Sequence, residues 1–211
     1  MEKIGLLFIN PYYGTSYELG KAVENDGELF ENELKRRGYK VRKYLDSSAR
    51  EFIREVREES ERRNGKLAIY YSGHGISIHD RDGDEEDGRD EAFVFRDGYV
   101  LDDVAEKLVR NNKCGEVVLI SDCCHSGTIW DEGIEGNVCS ISACGDNETA
   151  KQTRFTIHMK KSISHGVLTY YFWKYHDRCG GDLRKIIEKI NPLMKKYSQR
   201  AVVRGSSENR L

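Results

Sequence analysis

Three short runs constrain this chain more than anything else in it: Ile4–Ile9 (IGLLFI), Lys66–Ser72 (KLAIYYS) and Glu116–Ser121 (EVVLIS). Each is apolar at successive positions rather than at alternate ones, which marks strands buried on both faces. Helical periodicity falls between them. Leu19, Ala22, Val23, Phe30 and Leu34 recur at spacings of three and four across residues 17–37, and Gly38 stops that helix. Tyr39–Leu45 reads as a second strand. Ser47 or Ser48 caps a helix to about Arg63, and Asn64-Gly65 turns the chain into the next strand.

Farther on, Ala92–Phe95 and Tyr99–Leu101 flank Asp97-Gly98, a hairpin signal. Asp102 reads as the cap of a helix to about Asn111. Asn137–Ser142 is another strand, residues 166–176 and 181–197 are helical with Pro192 a weak point, and Ala201–Val203 is a last strand. Strands alternating with helices predict an α/β fold, with a mostly parallel central sheet sandwiched between helices. No linker-like tract interrupts the 211 residues, so 1–211 is expected to be one domain.

Net charge is −2, which argues against a generic polyanion binder and so against nucleic acid as partner. No apolar run approaches the roughly 20 residues that span a bilayer, so no membrane partner is expected. The chain opens directly into a strand-like run, and no leader is expected. Six cysteines (114, 123, 124, 139, 144 and 179) are then expected as free thiols in a reducing, cytoplasmic compartment.

The small net charge conceals an asymmetry. Residues 1–150 carry a net of −12 and residues 151–211 a net of +10. Eight of the acids lie in Asp80–Glu91, against two arginines. Such a stretch is either a solvated loop or a hard-cation site, since carboxylate oxygens suit Ca²⁺. It is no EF-hand: Asp80, Asp82, Asp84 and Glu91 fall at loop positions 1, 3, 5 and 12, but Glu85 stands where the turn needs glycine.

In a parallel sheet, sites lie at the carboxyl ends of strands. One strand runs into Tyr71-Ser72-Gly73-His74-Gly75, and another into Ser121-Asp122-Cys123-Cys124-His125-Ser126-Gly127. A histidine between glycines and a cysteine, 50 residues apart, can then face each other on one crest. That is the arrangement of a thiolate nucleophile with an imidazole to take its proton. A lone cysteine is ordinarily an inert hydrophobe, and the adjacent cysteines lack the partner spacing of a zinc site. The conjunction of both signatures at strand ends outweighs those readings. Asp26 adds a second feature: it falls on the apolar stripe of the first helix, where a carboxylate is costly unless a cation or cap meets it.

These blocks resemble the two catalytic blocks of the metacaspases, in the caspase-like cysteine peptidase clan. Tyr12-Tyr13-Gly14-Thr15 resembles that family's N-terminal motif, and Asp90-Glu91 and Asp102-Asp103 stand where it has acidic pairs. Ile141-Ser142-Ala143-Cys144, with Asp146 and Ala150, and His165-Gly166-Val167-Leu168-Thr169 resemble its later elements, so the likeness runs over residues 4–175. Glu148 and Leu168 depart from the commoner Gln and Phe, and the chain reads as a bare catalytic core. The resemblance implies a caspase-like fold, with a large-subunit-like region to about 135 and a small-subunit-like region over about 136–211.

It also implies a cysteine endopeptidase acting on protein or peptide substrates after Arg or Lys, through a thioacyl intermediate. Cys124 would be the nucleophile, His74 the general base, and the backbone N–H groups of Gly75 and Cys124 the oxyanion donors. Asp26, Asp122 and Ser72 would hold the substrate cation, with Glu24 a substitute for Asp26 and a buried salt bridge its alternative role. Ca²⁺ would activate the enzyme through Asp90, Asp102, Asp103 and Asp131. Lys151, Arg154, Lys160 and Lys161 are candidate self-cleavage points, and a monomer is expected by analogy. Two other classes compete: a catalytically silent caspase-like scaffold, and an Asp-specific caspase. The intact His74 and Cys124 disfavour the first, and the acidic pocket disfavours the second.

Overall fold

A computed structural model describes residues 1–79, 89–124, 130, 134, 136–144, 150–157, 161–206 and 208–211, excluding the side chains at 89, 156, 157 and 161. The acidic stretch 80–88, His125-Ser126-Gly127, Asp131, Asp146, Glu148 and Lys160 fall outside the described residues.

The central sheet has six strands: β1 (Lys3–Ile9), β2 (Lys40–Leu45), β3 (Lys66–Ser72), β7 (Glu116–Asp122), β8 (Val138–Ser142) and β11 (Val202–Gly205). Their spatial order is β11-β8-β7-β3-β1-β2. All neighbours are parallel except β11, which runs antiparallel to β8. The continuous apolar runs are explained by alternation across this sheet. Leu7, Ile9, Tyr70 and Ile120 face one core, with residues of α1 (Lys21–Arg36), α4 (Val167–His176) and α5 (Leu183–Met194). Leu6, Phe8, Tyr71 and Leu119 face the other, with residues of α2 (Ala49–Ser60) and α3 (Asp102–Arg110). Each such side chain contributes about 1.5–3 kcal/mol on burial, which fixes the register of the strands whose ends carry the site.

Two small antiparallel sheets complete the architecture. One holds β4 (Gly75–His79), β5 (Arg89–Phe95) and β6 (Gly98–Leu101) in that order. The other pairs β9 (Gln152–Ile157) with β10 (Lys161–Gly166), and Asn25 of α1 donates to the Ser164 carbonyl of β10 at 2.9 Å.

Ser48 is the cap of α2, accepting from the Glu51 N–H at 3.0 Å. Asp102, expected as the cap of α3, is instead that helix's first residue. Leu101 holds the cap position, and Asp102 Oδ1 accepts the N–H of Asp103 at 2.9 Å. Helix α1 begins at Lys21 rather than at 17, because Gly20 in the left-handed region (φ 69°) breaks the backbone. Residues 12–20 are thereby left as a loop over the end of β3. Helix α5 continues through Pro192 but ends two residues later, where a 3-10 turn (Lys195–Tyr197) takes over. Among the described residues, no helix is long and apolar enough to cross a membrane.

Candidate active site

Ser72 and Asp122 are register partners on neighbouring strands β3 and β7, so the segments that follow them leave the sheet side by side. His74 lies two residues past the first strand and Cys124 two residues past the second. Both line one cavity of about 290 Å³, together with Asp26, Ser72, Asp122, Lys151 and Gly166 among others. His74, Cys124 and the three residues expected to hold a substrate cation therefore line one cavity.

His74 is fixed on every side. Its N–H donates to the Tyr12 hydroxyl at 2.9 Å, and its carbonyl accepts from the Tyr71 hydroxyl at 2.7 Å. Its ring stacks on the Tyr12 ring, with centroids 5.0 Å apart and planes at 29°. Nε2 lies 2.7 Å from the Tyr17 carbonyl oxygen. A carbonyl only accepts, so Nε2 carries the proton, and in the neutral ring Nδ1 is left with the lone pair. Tyr12 itself holds a left-handed backbone (φ 53°), an uncommon state for a large residue that costs roughly 1–2 kcal/mol. Asp46 Oδ1 accepts the Tyr12 N–H at 2.8 Å and keeps it there.

Cys124 is half-buried, and all six cysteines are free. Burial pushes the Cys124 thiol above its ordinary range. The Ala150 backbone hydrogen bond opposes this, the Asp122 charge adds to it, and the Lys151 ammonium again opposes it. Gly75 meets Cys124 through the backbone: a Cβ on Gly75 would come to 2.0 Å from the Cys124 carbonyl oxygen. The glycine after His74 is thus required by close approach rather than by an unusual φ.

The acidic wall is built from three elements. Asp26 of α1 is buried, with Oδ1 at 2.8 Å from His165 Nδ1 and Oδ2 accepting the Gly166 N–H at 2.8 Å. Asp26 thus has buried hydrogen-bonding partners inside the protein, in His165 and the Gly166 N–H. Asp122 Oδ2 accepts from the Thr169 hydroxyl at 2.6 Å and from the Thr169 N–H at 3.3 Å. Tyr70 lies 2.9 Å behind that hydroxyl. Burial, then the Asp26 charge, push the Asp122 carboxyl up to about 7. Gly166 allows the two carboxylates to converge, since a Cβ there would lie 2.3 Å from Asp122 Oδ2 and 3.0 Å from Asp26 Oδ2. Glu24, the substitute considered for Asp26, pairs instead with Lys21 on the surface.

Of the acidic residues considered for a cation, Asp90 on β5 and Asp102 and Asp103 on α3 lie apart from this cavity's described lining. Asp90, Glu91 and Asp102 are buried. Burial pushes the Asp102 carboxyl up to about 7, with the charges of Glu91 and Asp90 acting in the same direction. Asp103 forms an ion pair with Lys107. Among the described residues, no group of three His, Cys, Asp or Glu side chains is arranged to hold a metal ion. Asp131 lies outside the described residues.

A family model described as the Caspase domain matches residues 3–208. This chain belongs to the caspase-domain family of peptidases. Among similar proteins, Metacaspase-1B of Neurospora crassa is 45% identical over 76 residues, covering 33% of this chain and 18% of that protein. Metacaspase-1 of Kluyveromyces lactis is 30% identical over 145 residues, covering 60% of this chain and 33% of that protein. The caspase-domain chain therefore spans a third or less of the length of these relatives. A crystal structure of a Geobacter sulfurreducens protein aligns with a TM-score of 0.74 at 20% identity, over 98% of this chain and 94% of that one. That likeness bears on the fold: the α/β arrangement with a mostly parallel sheet expected from the strand pattern, in the caspase-like form that the resemblance implied.

The sequence reading missed three participants of this caspase-domain site. The Tyr17 carbonyl has no signal, since any residue could supply it. His165 stands in a quoted motif, but nothing in its neighbours says that it meets Asp26, 139 residues away. Strand β4 (GISIH) is short and runs straight into the acidic stretch, so its pairing with β5 left no clear period to read.

Proposed function

We propose that this chain is a cysteine endopeptidase that hydrolyses peptide bonds after Arg or Lys. The observation that carries this reading is the shared cavity, in which Cys124 and His74 border the same space as Asp122, Asp26 and Ser72. The Cys124 thiol gives its proton to His74 Nδ1 as the sulfur bonds to the substrate carbonyl carbon. The oxyanion that forms is met by the N–H groups of Gly75 and Cys124. The imidazolium returns its proton to the departing amine, the C–N bond breaks, and a thioester remains. Water, losing a proton to His74, then attacks the thioester and releases the acid and the free thiol. The Tyr17 carbonyl stabilises the imidazolium through Nε2–H throughout.

A substrate Arg or Lys side chain relieves the cavity of the unfavourable meeting of Asp122 with Asp26, which is what raises the Asp122 carboxyl beyond burial alone. An Asp side chain would worsen it. Calcium is the proposed activator. The Asp90, Asp102 and Asp103 carboxylates are the hard oxygen donors that Ca²⁺ takes, and the Glu91 and Asp90 charges, which add to burial in raising the Asp102 carboxyl, are what a cation there would offset. Asp131 is the fourth ligand by resemblance. When bound, Ca²⁺ supplies charge neutralisation between these carboxylates.

Peptide amides ending in Arg, Lys or Asp, tested with and without Ca²⁺, decide the reading. Cleavage of the Arg and Lys amides alone, lost in Cys124→Ala, is expected. Equal turnover by Cys124→Ala removes the nucleophile, and a preference for Asp removes the pocket assignment. Activity untouched by a chelator removes the calcium role.

A further inference from the structure

Gln199 lies in the short segment between the 3-10 turn Lys195–Tyr197 and β11, and it is only 2% exposed. Both halves of its amide are used. Oε1 accepts the Lys151 N–H at 3.0 Å, and Nε2 donates to the Ala143 carbonyl at 2.8 Å. Those partners stand 48 and 56 residues away in the chain. The seat of this side chain is itself fixed on both sides. Ser198 turns the backbone in the left-handed region (φ 53°). Asn191 of α5 then takes both the N–H and the carbonyl of Ala201, at 2.8 and 3.0 Å.

The two backbone groups that Gln199 joins belong to the frame of the cavity. Ala143 follows β8 directly, and its N–H donates to the Ser121 carbonyl of β7 at 2.9 Å, three residues before Cys124. Lys151 lines the cavity beside Ala150, and its carbonyl accepts the Val167 N–H at 2.9 Å. The Ala150 N–H donates to the Cys124 sulfur. Such a bond favours the thiolate over the thiol. We propose that Gln199 is a positioning residue for the nucleophile: it ties Lys151 to the β8 end, and so keeps the Ala150 N–H on the Cys124 sulfur. This deepens the peptidase reading above and rests on it for the role of Cys124. Among the described residues, the titratable groups that share the cavity with Cys124 are His74, Asp26, Asp122 and Lys151, with His165 behind Asp26. A change at Gln199 replaces none of them.

Alkylation reads this bond directly, because the thiolate and not the thiol displaces iodide from iodoacetamide. The rate at Cys124, located by tandem mass spectrometry, is followed from about pH 5 to about pH 10. Gln199→Met keeps the volume and removes both hydrogen bonds. Its alkylation midpoint is expected about one pH unit above that of the parent protein. Ala150→Pro removes the N–H itself and is expected to give the same rise, with no further rise in the double variant. Asn209→Leu is the control for simple loosening. Asn209 is also buried, and it donates to the Val117 and Asn137 carbonyls at the far ends of β7 and β8. Its loss should lower the melting temperature and leave the midpoint where it is.

A folded Gln199→Met protein with the parent's midpoint overturns the inference. So does an equal rise in Asn209→Leu, or a double variant in which the two rises add. Should Gln199→Met fail to fold, Asn191→Ala, which frees Ala201 and so loosens the seat of Gln199, is read in the same way. With Arg and Lys peptide amides, Gln199→Met is expected to lower kcat about tenfold near pH 7 while KM stays within about twofold. A loss carried by KM instead counts against the inference. The expected midpoints without cleavage of any peptide would remove the peptidase reading and leave the hold of Gln199 on the Cys124 thiolate standing.

Discussion

The imidazole of His74 lies stacked on the phenol ring of Tyr12, and the same tyrosine's hydroxyl accepts the His74 N–H at 2.9 Å. One side chain thus sets both the plane of the His74 ring and the position of its backbone. Tyr12→Phe keeps the ring and removes the acceptor. It is expected to lower kcat/KM by about tenfold with a small change in melting temperature, in line with roughly 1 kcal/mol for a hydrogen bond. Tyr12→Ala also empties a buried site and is expected to cost about 3–5 kcal/mol of stability, measured by denaturant unfolding.

Gly75→Ala tests the close approach to Cys124. The added Cβ would need the space held by the Cys124 carbonyl oxygen, 2.0 Å away. Since that carbonyl belongs to the residue proposed as nucleophile, the backbone must shift where reaction geometry would be set, and about a hundredfold loss of kcat/KM is expected. Stability measured alongside should fall by about 1–3 kcal/mol, the ordinary cost of overpacking.

The Asp122 carboxyl, pushed to about 7, makes stability depend on pH in a defined direction. Unfolded, an aspartate titrates near about 4. Between about pH 4 and about pH 7 the folded protein holds the proton that the unfolded chain has released, so stability falls as pH rises through that window. Asp102, also at about 7, acts with the same sign. Thermal melts from pH 5 to pH 8 should therefore decline, and Asp122→Asn should flatten the part that Asp122 contributes. Cleavage of Arg and Lys peptides should rise with pH through about 7, as the pocket gains its negative charge.

Calcium should oppose part of that decline. At pH 8, added Ca²⁺ is expected to raise the melting temperature by mass action on the folded state. Asp102→Asn should remove the effect while leaving the pH 5 melt little changed. No calcium-dependent shift in the parent protein would dispose of the proposed ligand set.

How much of this could be read from residues alone varied with the kind of information. Strands β1, β3 and β7 were plain because burial on both faces leaves an unbroken apolar run. Their carboxyl ends then located His74 and Cys124. The β9–β10 hairpin was hidden, because KSISHG and QTRFTI carry mostly polar residues, with no apolar alternation to read. Asp26 was conspicuous as a carboxylate on an apolar stripe, yet its partner was not, since His165 reaches it across the fold. The start of α1 was misplaced because Leu19 fits the helical spacing, whereas a left-handed Gly20 overrides it.

The pairing of Ser72 with Asp122 has one more implication. His74 and Cys124 each follow their own strand by two residues, and neighbouring strands in a sheet stand about 4.8 Å apart. Their separation is therefore set by a ruler of backbone hydrogen bonds and not by either loop. Connections between strands could lengthen, shorten or be cut during evolution, and the graduation on that ruler would stay where it is.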